Sequence, residues 1–479
     1  MATLDDVLAI ILAGGRGTRL HNLTKERAKP ALPFAGYRLI DIMLSDLINS
    51  NIPHIHLLTE YKSDSLNDHI TKWHQRVGFG EFIRTVPAQQ RELTEFSRGS
   101  GDSLYNHLFN LENLPFEASE YVVLSGDHVT DLNVGKLVDY HRKLKADITL
   151  TVRKVTLEQA RKKLGVVVID KNQRVIGFEE KPESPTPLPD DPEHCFANEA
   201  NTVFESDIMD DAVEEFLPGP DEKEYDLSKH ILTPLIQQAR QRNLKIRAYL
   251  HEGYWADVGT IDALFNSNMD LLSSNPLFNI YDDDWWYKTF TDKYQGSGGK
   301  LGETGKGSYA SIFNPGSRIS GVVEWSVLSY GVEVLPGAFV SHACLFDGCK
   351  VRHNARVIRA ILDKDVSVGD RVVIDPGNID AYFEDGIVKG RSADKYRIKP
   401  LSENGEYLLF QRANDGRSIE GIVDKRGKSI LDKEGLYIKQ SYMKGKKKAT
   451  VRDYIEFVRS PGDVLSFSKY SYIPDGFVI

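Results

Sequence analysis

Between residues 325 and 374 the chain repeats itself in steps of 17. Leu328, Leu345 and Leu362 coincide, as do Val334, Val351 and Val368, with Val340, Val357 and Ile374 six residues beyond. Aliphatic residues at hexad spacing on coils of about 17 to 18 residues are what a parallel β-helix of hexapeptide type needs, because each coil buries its aliphatic positions only on the next. An ordinary β-meander rarely holds such a register. Beyond Gly377 the repeat stops. Residues 378–411 read as irregular strand and turn, and residues 412–479 carry hairpin signals such as DKRGKSI and the basic run KGKKK, a solvated loop rather than a nucleic-acid patch.

A different regime precedes the aromatic DDDWWYKTF (282–290) and the Gly-rich GSGGKLGETGKGS (296–308). Short β-branched runs at 7–12, 54–59, 121–126, 147–152 and 165–170 read as strands, and RLIDIMLSDLINS (38–50) and DSLYNHLFNL (102–111) as helices between them. Strands separated by helices predict a Rossmann-like α/β domain with a mixed, mostly parallel sheet, whose ligands sit at the C-terminal strand ends. The expected division is 1–280 for this domain, 281–310 for a linker, 311–411 for a left-handed β-helix, and 412–479 for a small β-rich extension.

A net charge of −9 disfavours a general nucleic-acid binder, which needs a broad basic surface, so basic residues must matter locally. No run approaches the roughly 18 apolar residues of a membrane span. Asp5 and Asp6 stand where a secretory signal would be basic, and three cysteines form neither a CxxC pair nor an even framework. A cytoplasmic protein that binds no nucleic acid or membrane is expected.

The first strand runs into AGGRGTRLHNLTKERAKP. A Gly-rich turn after a strand can aim backbone N–H groups at phosphate, and Arg16, Arg19, Lys25, Arg27 and Lys29 add positive charge; Arg19 and Lys29 are the candidates for direct contact. The loop matches neither GxGxxG, since Leu20 replaces the third glycine, nor the P-loop, since no Gly-Lys-Ser/Thr follows. Taken alone it could equally be a basic loop that stays hydrated. Two carboxylates add to it: Asp127 ends VVLSGDH and Asp257 lies in EGYWADVGT. Such a pair above a sheet can hold Mg²⁺ together with substrate phosphates, although a lone strand-end Asp can also cap a helix or turn. Attack on the α-phosphorus of a nucleoside triphosphate by another phosphate needs in-line positioning and charge neutralisation rather than a protein nucleophile.

AGGRGTRL, KERAKPALPF, YRLID, PAQQR, SGDH, GFEEKP and GYWADVGT, in this order and followed by a β-helix, resemble the glucose-1-phosphate adenylyltransferases over about residues 7–411. The last segment has no counterpart in the resemblance. What it implies is Mg²⁺-dependent conversion of ATP and α-D-glucose 1-phosphate to ADP-glucose and pyrophosphate, the committed step of glycogen or starch synthesis. Gly14, Gly15, Gly17 and Thr18 would cradle the triphosphate, with Gln89, Gln90 and Gly99 also on the nucleotide. Arg19 and Lys29 would stabilise the leaving pyrophosphate, with activator binding a second candidate role for Lys29 because the family uses lysines near that position for it, and with Asp127 catalytic and, with Asp257, holding the metal. Gly165, Glu180, Lys181, Asn198 and Asp226 would line the sugar-phosphate subsite. A homo-oligomer, preferably a tetramer, and an anionic metabolite effector are implied too.

Departures from the family pattern bear on specificity and control. Asn198-Glu199-Ala200-Asn201-Thr202 replaces a Ser-Met-Gly-Ile-Tyr type of strand, and Thr130 to Val134 replace Tyr-Lys-Met-Asp-Tyr. Thr59-Glu60-Tyr61-Lys62 and Phe96-Ser97-Arg98-Gly99 replace Thr-Gln-Tyr-Lys and Trp-Tyr-Arg-Gly in loops that relay activator binding, so a changed response to effectors is expected. Two further readings stay open: the same chemistry on another sugar or base, and a regulatory subunit that binds without turnover. PAQQ favours adenine.

Overall fold

The computed structural model describes residues 4–77, 83–87, 99–109, 116–216, 225–290, 299–302 and 307–376, and beyond these the stretches 383–384, 387–388, 396–400, 407–411, 457–459, 464–469 and 471–473. The first domain is built on β1 (Val7–Ala13), flanked in parallel by β2 (His54–Thr59), with β3 (Ile83–Pro87) outside it, and on its other side by β4 (Glu120–Ser125). β1 is an unbroken apolar run because both its faces are covered: Val7, Ala9 and Ile11 enter one core and Leu8 and Ile10 the other. β5 (His128–Thr130) follows β4, and β6 (Ile148–Thr156), β7 (Val166–Ile169) and β8 (Val175–Glu179) follow in turn.

The long β9 (His194–Glu205) makes the sheet mixed, pairing antiparallel with β4, β6 and β7. β10 (Ile246–Leu250) joins β6 in parallel, and β11 (Trp255–Asp257) pairs with β5 in a small separate ribbon. The five strands and two helices expected from the sequence are all present, shifted by no more than a few residues at their ends. Membrane-crossing length and apolarity are absent from every helix among the described residues, and the three cysteines are unpaired and buried.

Part of the expected linker is instead a strap on α1 (Leu39–Asn49). The Trp285 indole N–H donates to Asp46, the Lys288 N–H to Ser45 Oγ, and the Thr289 hydroxyl to Asp41, at 2.8, 2.9 and 2.6 Å. These bonds add to the partners that Asp41 finds in His69 and Arg38 and Ser45 in the Asp41 carbonyl, and they give the fully buried Asp46 a donor. Lys300–Leu301, also inside that stretch, already pairs in parallel with Arg318–Ile319 as β-helix structure.

The 17-residue repeat is the stacking register of the β-helix: Leu328 lies on Leu345, Leu345 on Leu362, Val334 on Val351 and Val351 on Val368. Its far end departs from expectation. Leu362 stacks next on Phe467 and Val368 on Ile473, 105 positions further on instead of 17. Residues 464–469 and 471–473, expected to belong to a separate extension, are thus β-helix coil, and the extra chain is inserted in sequence between two coils. Among the described residues within it, 383–384 pairs with 387–388 and 396–400 with 407–411, both antiparallel and unlike the parallel stacking of the coils. Phe467→Ala is expected to cost about 3–5 kcal/mol of unfolding free energy in denaturant titration, since the ring is fully buried on Leu362; an appended tail would show no such loss.

Candidate active site

The glycine loop leaves β1 at its C-terminal end, and Asp127 leaves the adjacent β4 at the same edge, with Gly126 N–H bonded to Leu12 O at 3.0 Å. Gly17 adopts φ +60°, a conformation that side chains resist, and a Cβ there would press on Thr24 and Lys29. The turn therefore packs directly on the segment carrying Lys29. The Lys29 ammonium, almost fully buried, sits 2.9 Å from Asp127 Oδ2 and 3.0 Å from Asp257 Oδ1. Arg19 approaches the other oxygen of Asp257 at 3.7 Å with its side chain largely exposed. Burial alone would raise the pKa of both aspartates, but Lys29 and then His128 overcome it and hold both carboxyls below the usual range. Both are anionic at neutral pH.

The two carboxylates suit Mg²⁺ as a donor set: two convergent oxygen-bearing groups, leaving the remaining positions to water and phosphate. Gly14 and Gly15 line the turn, where a Cβ on Gly14 would meet Glu60 while Gly15 faces open space, and Thr18 starts the 3₁₀ segment Thr18–Thr24. Gly99 packs on the Tyr225 carbonyl, and Asp226 accepts the Ser100 hydroxyl at 3.0 Å while capping Ser228 and Lys229, so these two candidates share one corner. Gly165, Glu180 and Asn198 form another group: Asn198 N–H donates to Gly165 O at 2.9 Å, and Glu180 lies beside the Gly165 α-carbon. Lys181 pairs with Glu180 at 2.9 Å, both exposed. Gln89 and Gln90 lie outside the described residues, as do Phe96, Ser97 and Arg98.

Several site residues escaped the sequence reading. Ser125 donates to Asp127 Oδ1, and the His128 ring stands 3.6 and 3.9 Å from the two aspartates with the Trp255 indole donating to it. Both residues lie in SGDH, so the motif itself carried the signal. More is found where the chain departs from its family. β9 breaks register between Asn198 and Thr202, Ala200 takes φ +57°, and Glu199 turns fully inward. There it meets His251 at 3.0 Å, whose other ring nitrogen meets Asp131 at 3.0 Å; Arg153 stands 3.7 Å from Glu199. Gly253 makes room for this group, since a Cβ there would fall 2.1 Å from Asp131 Oδ1. Four charges far apart in sequence offered no local pattern.

Comparison with known proteins identifies the family. The family model described as nucleotidyl transferase matches residues 8–274, and a GlmU-like C-terminal hexapeptide model matches residues 300–380. A glucose-1-phosphate adenylyltransferase of Rhodopirellula baltica is 37% identical over 384 residues, covering 76% of this chain and 84% of the relative. The chain belongs to the glucose-1-phosphate adenylyltransferase family. Family members from Teredinibacter turnerae and Paramagnetospirillum magneticum are 34% and 37% identical, covering 77% and 78% of this chain and 89% of each relative.

The Glu199–His251–Asp131 group has a pH signature. Burial would lower the His251 imidazole, but the hydrogen bonds that it donates to Asp131 and Glu199 prevail and push it up to about 9. A folded value above the unfolded one of about 6.5 means that the stabilisation is fully present below pH ~6.5 and lost as pH rises through about 9. Denaturant titrations at a series of pH values are expected to show this alkaline loss, and His251→Gln to flatten it.

Proposed function

We propose that this adenylyltransferase family member works on ATP and glucose 1-phosphate as a catalyst, with Mg²⁺, and is not a silent subunit. The observation that carries the reading is the Lys29 ammonium within 3.0 Å of both strand-end carboxylates, next to the glycine turn. A regulatory relative could dispense with that cluster, whereas this chain retains Arg19, Lys29, Asp127 and Asp257 together.

In the reaction an oxygen of the sugar phosphate attacks the α-phosphorus of ATP, the bond from the α-phosphorus to the bridging oxygen breaks, and pyrophosphate leaves. Little covalent work falls to the protein. Backbone N–H groups of the glycine turn orient the triphosphate, while Lys29 and the exposed Arg19 side chain neutralise charge that grows on the bridging and leaving oxygens. Asp127 and Asp257 would hold Mg²⁺, which supplies further neutralisation of the phosphates. Gly165, Glu180, Lys181 and Asn198 receive the sugar phosphate, and Gln89, Gln90 and Gly99 the nucleotide.

The β-helix supports assembly into a homo-oligomer, a tetramer by preference, and an anionic metabolite is the effector class expected in a cytoplasmic setting. The inward Glu199 makes the sugar the part of specificity to test first, because an altered polar group beside a sugar can shift kcat/KM by orders of magnitude.

Pyrophosphate release with Mg²⁺, ATP and a panel of sugar 1-phosphates tests the reading. Turnover is expected to be highest with glucose 1-phosphate; a higher rate with another sugar would revise the substrate, and silence across the panel would overturn the enzyme. Asp127→Asn and Lys29→Gln are each expected to lower kcat by about 10²–10³-fold, the scale of losing an electrostatic catalyst.

A further inference from the structure

Two side-chain anchors join the segment between Arg19 and Lys29 to consecutive coils of the β-helix. Arg27 Nη2 lies 2.6 Å from Asp363 Oδ1 and also contacts Oδ2, with 5% and 1% of the two side chains exposed. Asn22 donates from Nδ2 to the Ser466 carbonyl at 3.2 Å and accepts the Ser466 hydroxyl at 2.8 Å. Each anchor is buried.

The coil positions themselves are informative. Val327, Cys344 and Ile361 stack on one another toward the first domain, and Ser466 is the next member of that row. Three apolar residues give way to a hydroxyl where the row meets Asn22. Asp363 similarly stands where the preceding coils carry Ser329 and Phe346. On the other side, Thr24 donates to the Gly17 carbonyl at 2.9 Å, and Gly17 packs against the Thr24 and Lys29 side chains. A shift of residues 22–27 would therefore move both the glycine turn and Lys29.

We propose that Asp363 and Ser466 are positioning residues for adenylyl transfer, holding residues 18–29 so that Arg19 and Lys29 face the triphosphate. The role rests on the adenylyltransferase reading but can be decided apart from it. The long excursion leaves and re-enters the β-helix between the two coils that carry the anchors, so the final coil delivers a residue that the nucleotide segment uses.

Full-length Asp363→Asn and Ser466→Ala are to be compared with wild type in ATP binding by equilibrium titration with Mg²⁺, in KM for ATP and for glucose 1-phosphate, and in thermal unfolding. The expected result is a KM and Kd for ATP raised by about tenfold in Asp363→Asn and about threefold in Ser466→Ala, with KM for glucose 1-phosphate changed by less than about twofold. A merely structural role would lower the active fraction and leave ATP affinity alone. If Asp363→Asn fails to fold, Ser466→Ala decides, because it removes one hydroxyl. ATP affinity equal to wild type in the folded variants overturns the proposal. A wild type that binds ATP without turnover would overturn the reaction instead, and the ATP titrations would still decide the anchors.

Discussion

A lysine ammonium buried between two carboxylates ties together three pieces of chain that are far apart in sequence. Lys29 comes from the segment after β1, Asp127 from the end of β4, and Asp257 from the β5–β11 ribbon. Removing the Lys29 ammonium would leave two like-charged carboxylates facing each other without the cation they share, a larger loss than that of an ordinary surface pair. The arrangement is stable at rest and useful in reaction for the same reason. Water is largely kept from Lys29, so its charge is strongly felt by the carboxylates and by whatever phosphate arrives among them.

The β-helix is part of this arrangement rather than an appendage. Its outward row of Val327, Cys344 and Ile361 shares one apolar core with Leu20, Leu23, Leu39, Phe265 and Phe278 of the first domain. An apolar seam can hold two domains together but tolerates sliding, whereas the Arg27–Asp363 and Asn22–Ser466 contacts are directional and define one register. Both directional contacts fall on the nucleotide segment. An excursion of the chain is tolerated between the coils because parallel stacking cares only about which residues return to the pile, not how long they took to get there.

Around the bulge in β9 the buried charges answer one another as a set. An inward carboxylate at Glu199 is tenable only because His251 and Arg153 answer it, and His251 in turn engages Asp131 and needs Gly253 bare. The strand bulge at Ala200 turns Glu199 toward that group and leaves Asn198 bonded to the Gly165 strand. Replacing one member of the group in isolation would leave another buried charge short of a partner.

Much of this was legible along the chain. Apolar runs and their spacing determined β1, β2, β4, α1 and the stacked coils, because local periodicity reports which face is buried; the glycine turn, Asp127 and Asp257 were legible as residue types at strand ends. The return coil was harder to read. IPDGFVI does echo VLPGAFV, but a single coil displaced by 105 positions has no neighbouring repeat to reveal its register. What only the tertiary structure decided are the pairings at a distance: Lys29 with two aspartates, Arg27 with Asp363, Asn22 with Ser466, and Glu199 with His251. Periodicity records a residue's burial, whereas the partner of a buried charge depends on which elements the fold brings face to face, and no local pattern encodes that.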